Sequence, residues 1–138
     1  MIKWGIAGTG MIAKSFAEAI KETDSVLHAV ASTSGRSEKF AKKYVCLAYE
    51  GYEQLINDPN IQAIYIATPH PSHFEITLSA LSNKKAVLCE KPMTMNATQT
   101  MILIDASRKN DTPLMEAFMY KSHPQTLKVC EILRHSFK

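Results

Sequence analysis

Residues 5–13 read Gly-Ile-Ala-Gly-Thr-Gly-Met-Ile-Ala, with three glycines in six positions. An apolar run, Ile2 to Ala7, leads into them. A helical pattern follows at once, Met11 to Lys21, with Ile12, Phe16, Ala17 and Ile20 at one-face spacing. A chain that passes from buried strand to helix within three residues needs glycine at the turn, because only glycine adopts the required backbone angles without a steric penalty. Gly8-x-Gly10-x-x-Ala13 is therefore a strand–turn–helix unit with a small residue where helix meets strand.

The same alternation continues to the end of the chain. Val26 to Ser32, Ile61 to Ala67, Lys85 to Cys89 and Pro113 to Phe118 read as strands. Ser37 to Tyr44, Tyr52 to Asn57, His73 to Leu81, Ala97 to Arg108 and Pro124 to Phe137 read as helices. Asn96 stands where a helix N-cap belongs. Runs such as Ile61-Gln-Ala-Ile-Tyr-Ile-Ala67 are apolar and β-branched over strand length, as strands covered on both faces are. Strands of that kind alternating with helices predict an α/β fold: a doubly wound parallel sheet of about six strands with helices on both faces. Such sheets bind ligands beyond the carboxyl ends of their strands. The loops at that edge are 8–11, 32–36, 67–73 and 89–96.

Composition narrows the function classes. The 138 residues suit one domain. A net charge of +3, with no Lys/Arg block interleaved with aromatics, argues against nucleic acid. Cys46, Cys89 and Cys130 are odd in number and widely spaced, which argues against a disulfide framework or a zinc site and makes a reducing, cytoplasmic setting the expectation. The glycines interrupt the only N-terminal apolar run, so no signal peptide is expected. No apolar stretch approaches the roughly 20 residues a membrane span requires.

In the first loop, Gly8 makes the turn and Gly10 lets the backbone approach a pyrophosphate, which rests on free N–H groups at the helix start. A NAD site usually carries Asp or Glu about 20 residues further on. Here that stretch is Ala31-Ser-Thr-Ser-Gly-Arg-Ser37, with hydroxyls at Ser32, Thr33 and Ser34, and one guanidinium, Arg36. A missing carboxylate removes repulsion against a 2′-phosphate, and Arg binds phosphate through parallel hydrogen bonds. The pattern favours NADP over NAD. The lesser alternative is a polar loop with a solvated Arg.

Three later loops carry candidate chemistry. Residues 67–73, Ala-Thr-Pro-His-Pro-Ser-His, hold His70 and His73 without a third metal ligand nearby, so no metal site is expected. His73 also suits a packing role at a helix start. Glu90-Lys91-Pro92 ends a strand at the ligand edge, where the Lys91 ammonium can stabilise charge on a reacting oxygen. A solvated ion pair is the plainer alternative. Glu116, Tyr120 and His123 fall near the same edge, and His123 before Pro124 also suits a helix cap.

Gly5 to Phe16, Ile64 to Glu75, Val87 to Asn96 and Leu114 to Gln125 together resemble the N-terminal domain of the Gfo/Idh/MocA oxidoreductases, most closely the dihydrodiol dehydrogenase-like branch. The resemblance runs from about residue 2 to residue 134. It implies a Rossmann domain that binds NAD or NADP and a hydride transfer at a hydroxyl or carbonyl carbon of a sugar, polyol or diol. It implies that Lys91 is catalytic, that Glu90 and Pro92 shape its loop, and that Gly8, Gly10, Met11 and Ile12 face the pyrophosphate and nicotinamide end. Thr68, Pro69 and His73 would contact the cofactor, with His123 near its ribose or nicotinamide.

Two positions depart from the family pattern. Many relatives in this branch have Arg directly after Ser32, where this chain has Thr33, and many have Asn at the place of His70. Family members also continue into a second domain that completes the substrate pocket. The expectation is thus a truncated chain that binds cofactor and turns over little, with possible association into a homo-oligomer through the last helix (Leu127, Ile132, Leu133, Phe137). The alternative is a stand-alone nucleotide-binding or sensing module; against it, a sensor has no need of Lys91. A third reading, a degenerate fold kept for association, predicts no nucleotide affinity.

Overall fold

Every rung of the sheet is set by the apolar strands. The computed structural model describes residues 1–136, Ser136 by its backbone only. Its strands are β1 (Lys3–Ala7), β2 (Val26–Ala31), β3 (Leu47–Tyr49), β4 (Ala63–Ile66), β5 (Ala86–Cys89) and β6 (Leu114–Glu116). They form one parallel sheet in the order β3-β2-β1-β4-β5-β6. The connecting helices are α1 (Met11–Ala19), α2 (Ser37–Tyr44), α3 (Tyr52–Asn57), α4 (His73–Ser82) and α5 (Ala97–Lys109), and α6 (Pro124–Ser136) follows β6.

Strand alternation divides the core in two. Ile64 and Ile66 of β4 point to one face, where they pack with Leu55, Ile76, Leu81 and Leu103 of α3, α4 and α5. Tyr65 and Ile6 point to the other, against Ala13 and Ala17 of α1 and Phe40 and Tyr44 of α2. Small residues on α1 let it lie close to the sheet. Each large aliphatic side chain buried this way is worth about 1.5–3 kcal/mol relative to exposure. The fold is the doubly wound one expected.

Some boundaries differ from the sequence reading. β3 was not expected: three residues give no periodicity, and Leu47 and Ala48 are exposed on an edge strand. The helix read as Met11 to Lys21 ends at Ala19 and tightens into a 3₁₀ turn over Ile20–Glu22, closed by the Thr23 hydroxyl donating to the Ile20 carbonyl (2.8 Å). The strands read as Ile61–Ala67, Lys85–Cys89 and Pro113–Phe118 are shorter at their ends. The Asn96 cap is present, its side chain accepting the Gln99 N–H at 3.0 Å. Phe137, read as part of the last helix, lies outside the described residues. No helix among the described residues is long and apolar enough to cross a membrane.

Candidate functional site

The strand order reverses between β1 and β4, so their carboxyl ends open a crevice. Backbone hydrogen bonds carry the ladder up to the loops that bound it. Gly8 N–H donates to Ala31 O (2.8 Å), Ala67 N–H to Ala7 O (2.8 Å), Glu90 N–H to Ile66 O (3.0 Å) and Ala117 N–H to Cys89 O (2.8 Å). The roots of four loops are thereby fixed in one row.

Gly8 sits at φ +110°, and a Cβ there would lie 2.5 Å from the Ala67 carbonyl oxygen. Backbone packs on backbone at this point, which only glycine permits. Gly10 is the reverse case. It is the N-cap of α1, without a side-chain capping bond, and a Cβ there would meet nothing within 4 Å. The start of α1 thus presents free N–H groups to open space, an arrangement that suits an anion.

A cavity of about 310 Å³ lies in front of it. Gly8, Gly10, Ser32, Thr33, Arg36, Thr68 and Pro69 line it, so the structure brings together seven of the residues singled out from sequence. Ser34, noted among the hydroxyls of its loop, lines it as well, and so do Thr9 and Tyr52, which were missed. The Ser32 and Ser34 hydroxyls are 2.8 Å apart, and Arg36 Nε donates to Ser34 Oγ at 2.8 Å, so the serines hold the guanidinium in the loop.

On the other side of α1, a second, mostly apolar cavity of about 250 Å³ is lined by Ile12, Phe16, Tyr65, Leu88, Glu90 and Ala117, among others. Tyr65 is buried and stacks on Phe16, with ring centroids 4.1 Å apart. Its hydroxyl donates to Glu90 Oε1 at 2.5 Å. Burial, and then the Glu90 carboxylate, push the phenol well above its ordinary range, so it stays a donor. Glu90 Oε2 in turn accepts the Lys91 N–H at 3.3 Å. Lys91 and Pro92, joined by a cis peptide, are exposed at the end of β5.

The loops on either side are strapped together. His73 is 1% exposed; Nδ1 lies 3.0 Å from Pro92 O and Nε2 2.9 Å from Thr68 O. Of the two roles open to it from sequence, the packing role describes its contacts: it ties the loop after β4 to the loop after β5. Glu116 Oε1 accepts the Met93 N–H at 2.8 Å, joining the loop after β5 to β6. Cys89 is fully buried, and burial pushes its thiol up to about 12. His123 is exposed, and its Nδ1 accepts the Gln125 N–H at 3.2 Å, the capping alternative. Tyr120 and Met11 are also exposed, and neither lines the two cavities.

A family model described as an oxidoreductase family with an NAD-binding Rossmann fold, Gfo/Idh/MocA, matches residues 2–118. A trans-1,2-dihydrobenzene-1,2-diol dehydrogenase of Xenopus laevis is 41% identical over 127 residues, 88% of this chain and 38% of the relative. A D-xylose 1-dehydrogenase (NADP(+)) of Hypocrea jecorina is 37% identical over 147 residues, 96% of this chain and 38% of the relative. Among solved structures, the 3-ketoreductase KijD10 of Actinomadura kijaniata, in complex with TDP-benzene and NADP, superposes with a TM-score of 0.89 at 31% identity, covering 97% of this chain and 43% of that one. The chain spans about two-fifths of the length of these relatives.

Proposed function

The chain belongs to the Gfo/Idh/MocA oxidoreductase family, matched by its NAD-binding Rossmann model over residues 2–118, and from that premise we propose that it is the cofactor-binding part of a dehydrogenase acting on a sugar, polyol or diol, with NADP as the favoured dinucleotide. One observation carries the reading. The glycine turn, the Thr68-Pro69 loop and the Glu90-Lys91-Pro92 loop end three adjacent strands, β1, β4 and β5, at one edge of the sheet.

The residues present fit a dinucleotide. Gly8 allows the close backbone approach, Gly10 leaves the start of α1 open, and the two cavities flank that start. The pyrophosphate would rest on α1, with one ribose toward Ser32, Thr33 and Arg36 and the nicotinamide toward Ile12 and Glu90. When bound, the dinucleotide supplies or accepts the hydride. Lys91 would donate a hydrogen bond from its ammonium to the reacting oxygen and stabilise charge developing there. Tyr65 holds Glu90, and His73 holds Pro92, so the loop that carries Lys91 is fixed from both sides. The alternative from sequence, a sensing module, has no need of such a lysine.

The test is a parallel calorimetric titration of residues 1–138 with NADPH and NADH. Binding of both, with NADPH the tighter, is expected. Binding of neither overturns the reading.

A further inference from the structure

The two faces of the sheet are covered unequally. Among the described residues, α3, α4 and α5 pack on one face and only α1 and α2 on the other. Strands lie about 4.8 Å apart and packed helices about 8–10 Å apart, so a helix covers roughly two strands. The second face is therefore one helix short. A single cross-strand row shows where. Ile6, Tyr65, Leu88 and Met115 stand side by side on β1, β4, β5 and β6. Ile6 and Tyr65 are buried under α1, Leu88 is half-buried and Met115 is 64% exposed. The open end of the row is a trough. Its cavity, of about 430 Å³, is lined by Leu88, Met115, Ala117 and Met119, among others, and runs on through Leu88, Ala117 and Met119 into the apolar cavity beside α1.

The chain also carries a helix with an uncovered apolar stripe. Thr126, Val129, Cys130 and Leu133 of α6 recur at one-face spacing, and Lys128, Glu131 and His135 stand opposite. Val129 and Leu133 are each about half exposed, and no described residue of α6 lines the trough. The hinge keeps α6 from folding back onto its own sheet. One residue, His123, joins the turn Met119–Ser122 to α6, and both its backbone groups are used: its N–H donates to Tyr120 O (3.2 Å) and its carbonyl accepts the Leu127 N–H (3.1 Å). Short hinges of this kind favour exchange of the element between two copies.

We infer that a second copy of this chain covers the trough, each copy laying the stripe of its α6 over Leu88 and Met115 of the other. The contact is reciprocal, so it closes as a two-fold dimer and leaves no open end to propagate. The area suffices. The chain exposes 8662 Å² against about 7,200 Å² for a compact monomer of its mass, and the difference exceeds the roughly 800 Å² per partner that a stable interface buries. The dimer is independent of the cofactor reading, since the trough lies on a face of the sheet and the glycine turn at its carboxyl edge.

The experiment is sedimentation velocity across a dilution series on residues 1–138, on the double variant Val129→Asp/Leu133→Asp and on Met115→Asp, with circular dichroism as the folding control. All three altered side chains are half exposed or more within one copy, so the variants keep its fold. The wild-type chain should sediment as a concentration-dependent dimer. The double variant should weaken the dimer by about a hundredfold or more, each lost apolar side chain being worth about tenfold, and Met115→Asp should weaken it by about tenfold. Met115→Cys, oxidised, should give a disulfide-linked dimer on a non-reducing gel that Cys130→Ser abolishes. A monomeric wild-type chain overturns the inference. So does a dimer that survives both Asp variants, or a Met115→Cys to Cys130 bond formed within one copy, which would mean that the chain covers the trough with its own α6.

Discussion

Gly8 and Gly10 stand two residues apart and answer to different demands. At Gly8 both the left-handed backbone and the 2.5 Å approach to Ala67 O exclude a side chain. Gly8→Ala should therefore destabilise the fold by upwards of about 2 kcal/mol, the scale of a strained residue with no room to relax. Gly10 has ordinary backbone angles, φ −70° and ψ −174°, and open space before it. Gly10→Ala should change stability by less than about 1 kcal/mol, the range for losing a glycine N-cap. It should weaken NADPH by about tenfold or more, because its methyl enters the path of the pyrophosphate. Urea unfolding reads the first quantity and calorimetry the second. A Gly10→Ala chain that binds NADPH as the wild type does would mean the pyrophosphate lies elsewhere.

At the scale of elements, the end of the sheet away from the site is knotted on one carboxylate. Asp58, between α3 and β4, accepts from the Tyr49 hydroxyl of β3 (2.9 Å) and from Asn60 N–H (2.8 Å), and lies 3.1 Å from His28 Nε2 of β2. Lys85, just before β5, donates its ammonium to the carbonyls of Asp58 (2.7 Å) and Ile61 (2.8 Å). Burial pushes the Asp58 carboxyl up. The hydrogen bonds from Asn60 and Tyr49 and the charge of His28 outweigh it, and the net shift is downward. A carboxyl whose folded pKa is depressed stabilises the fold above its unfolded value, near 4, and loses that contribution as pH falls through the folded value. Asp58→Asn should cost about 2 kcal/mol at neutral pH and flatten the acid limb of the stability profile below about pH 4, measured by urea unfolding at several pH values. An unchanged acid limb would place the titrating group elsewhere. This knot was illegible in the sequence, because Tyr49 belongs to β3, an edge strand too short and too exposed for periodicity to reveal. The other strands were legible through runs apolar on both faces. In the site, the glycine turn and the Glu90-Lys91-Pro92 loop were legible because each places its chemistry within a few residues. Thr9 and Tyr52, which line the cavity before α1, were not. They meet only once the sheet brings the loop after β1 near the start of α3, a relation that spacing along the chain does not record.

Over the whole molecule, the cooperative unit is the sheet with α1 to α5, and α6 adds little to it. None of the described side chains of α6 is buried, and Leu127, Val129, Ile132 and Leu133 are each about half exposed or more. The chain exposes 8662 Å², against about 7,200 Å² for a compact monomer of its mass. Ligand-linked stability must then come from the sheet, and the proposed cofactor meets loops rooted on β1, β2, β4 and β5, four of its six strands. A ligand that binds only the folded state at a hundred times its dissociation constant adds about 2.7 kcal/mol. With about 2.1 cal/mol/K of unfolding entropy per residue, 138 residues convert that into a rise in Tm of roughly 9 °C. A thermal melt with saturating NADPH should show this as one transition displaced upward whole, because the four strands that carry the binding loops cannot open without releasing the cofactor and the two edge strands pair only with them. A melt that splits, with only part of the signal displaced, would show that the loops bind as an independent patch and that the sheet does not share the binding energy.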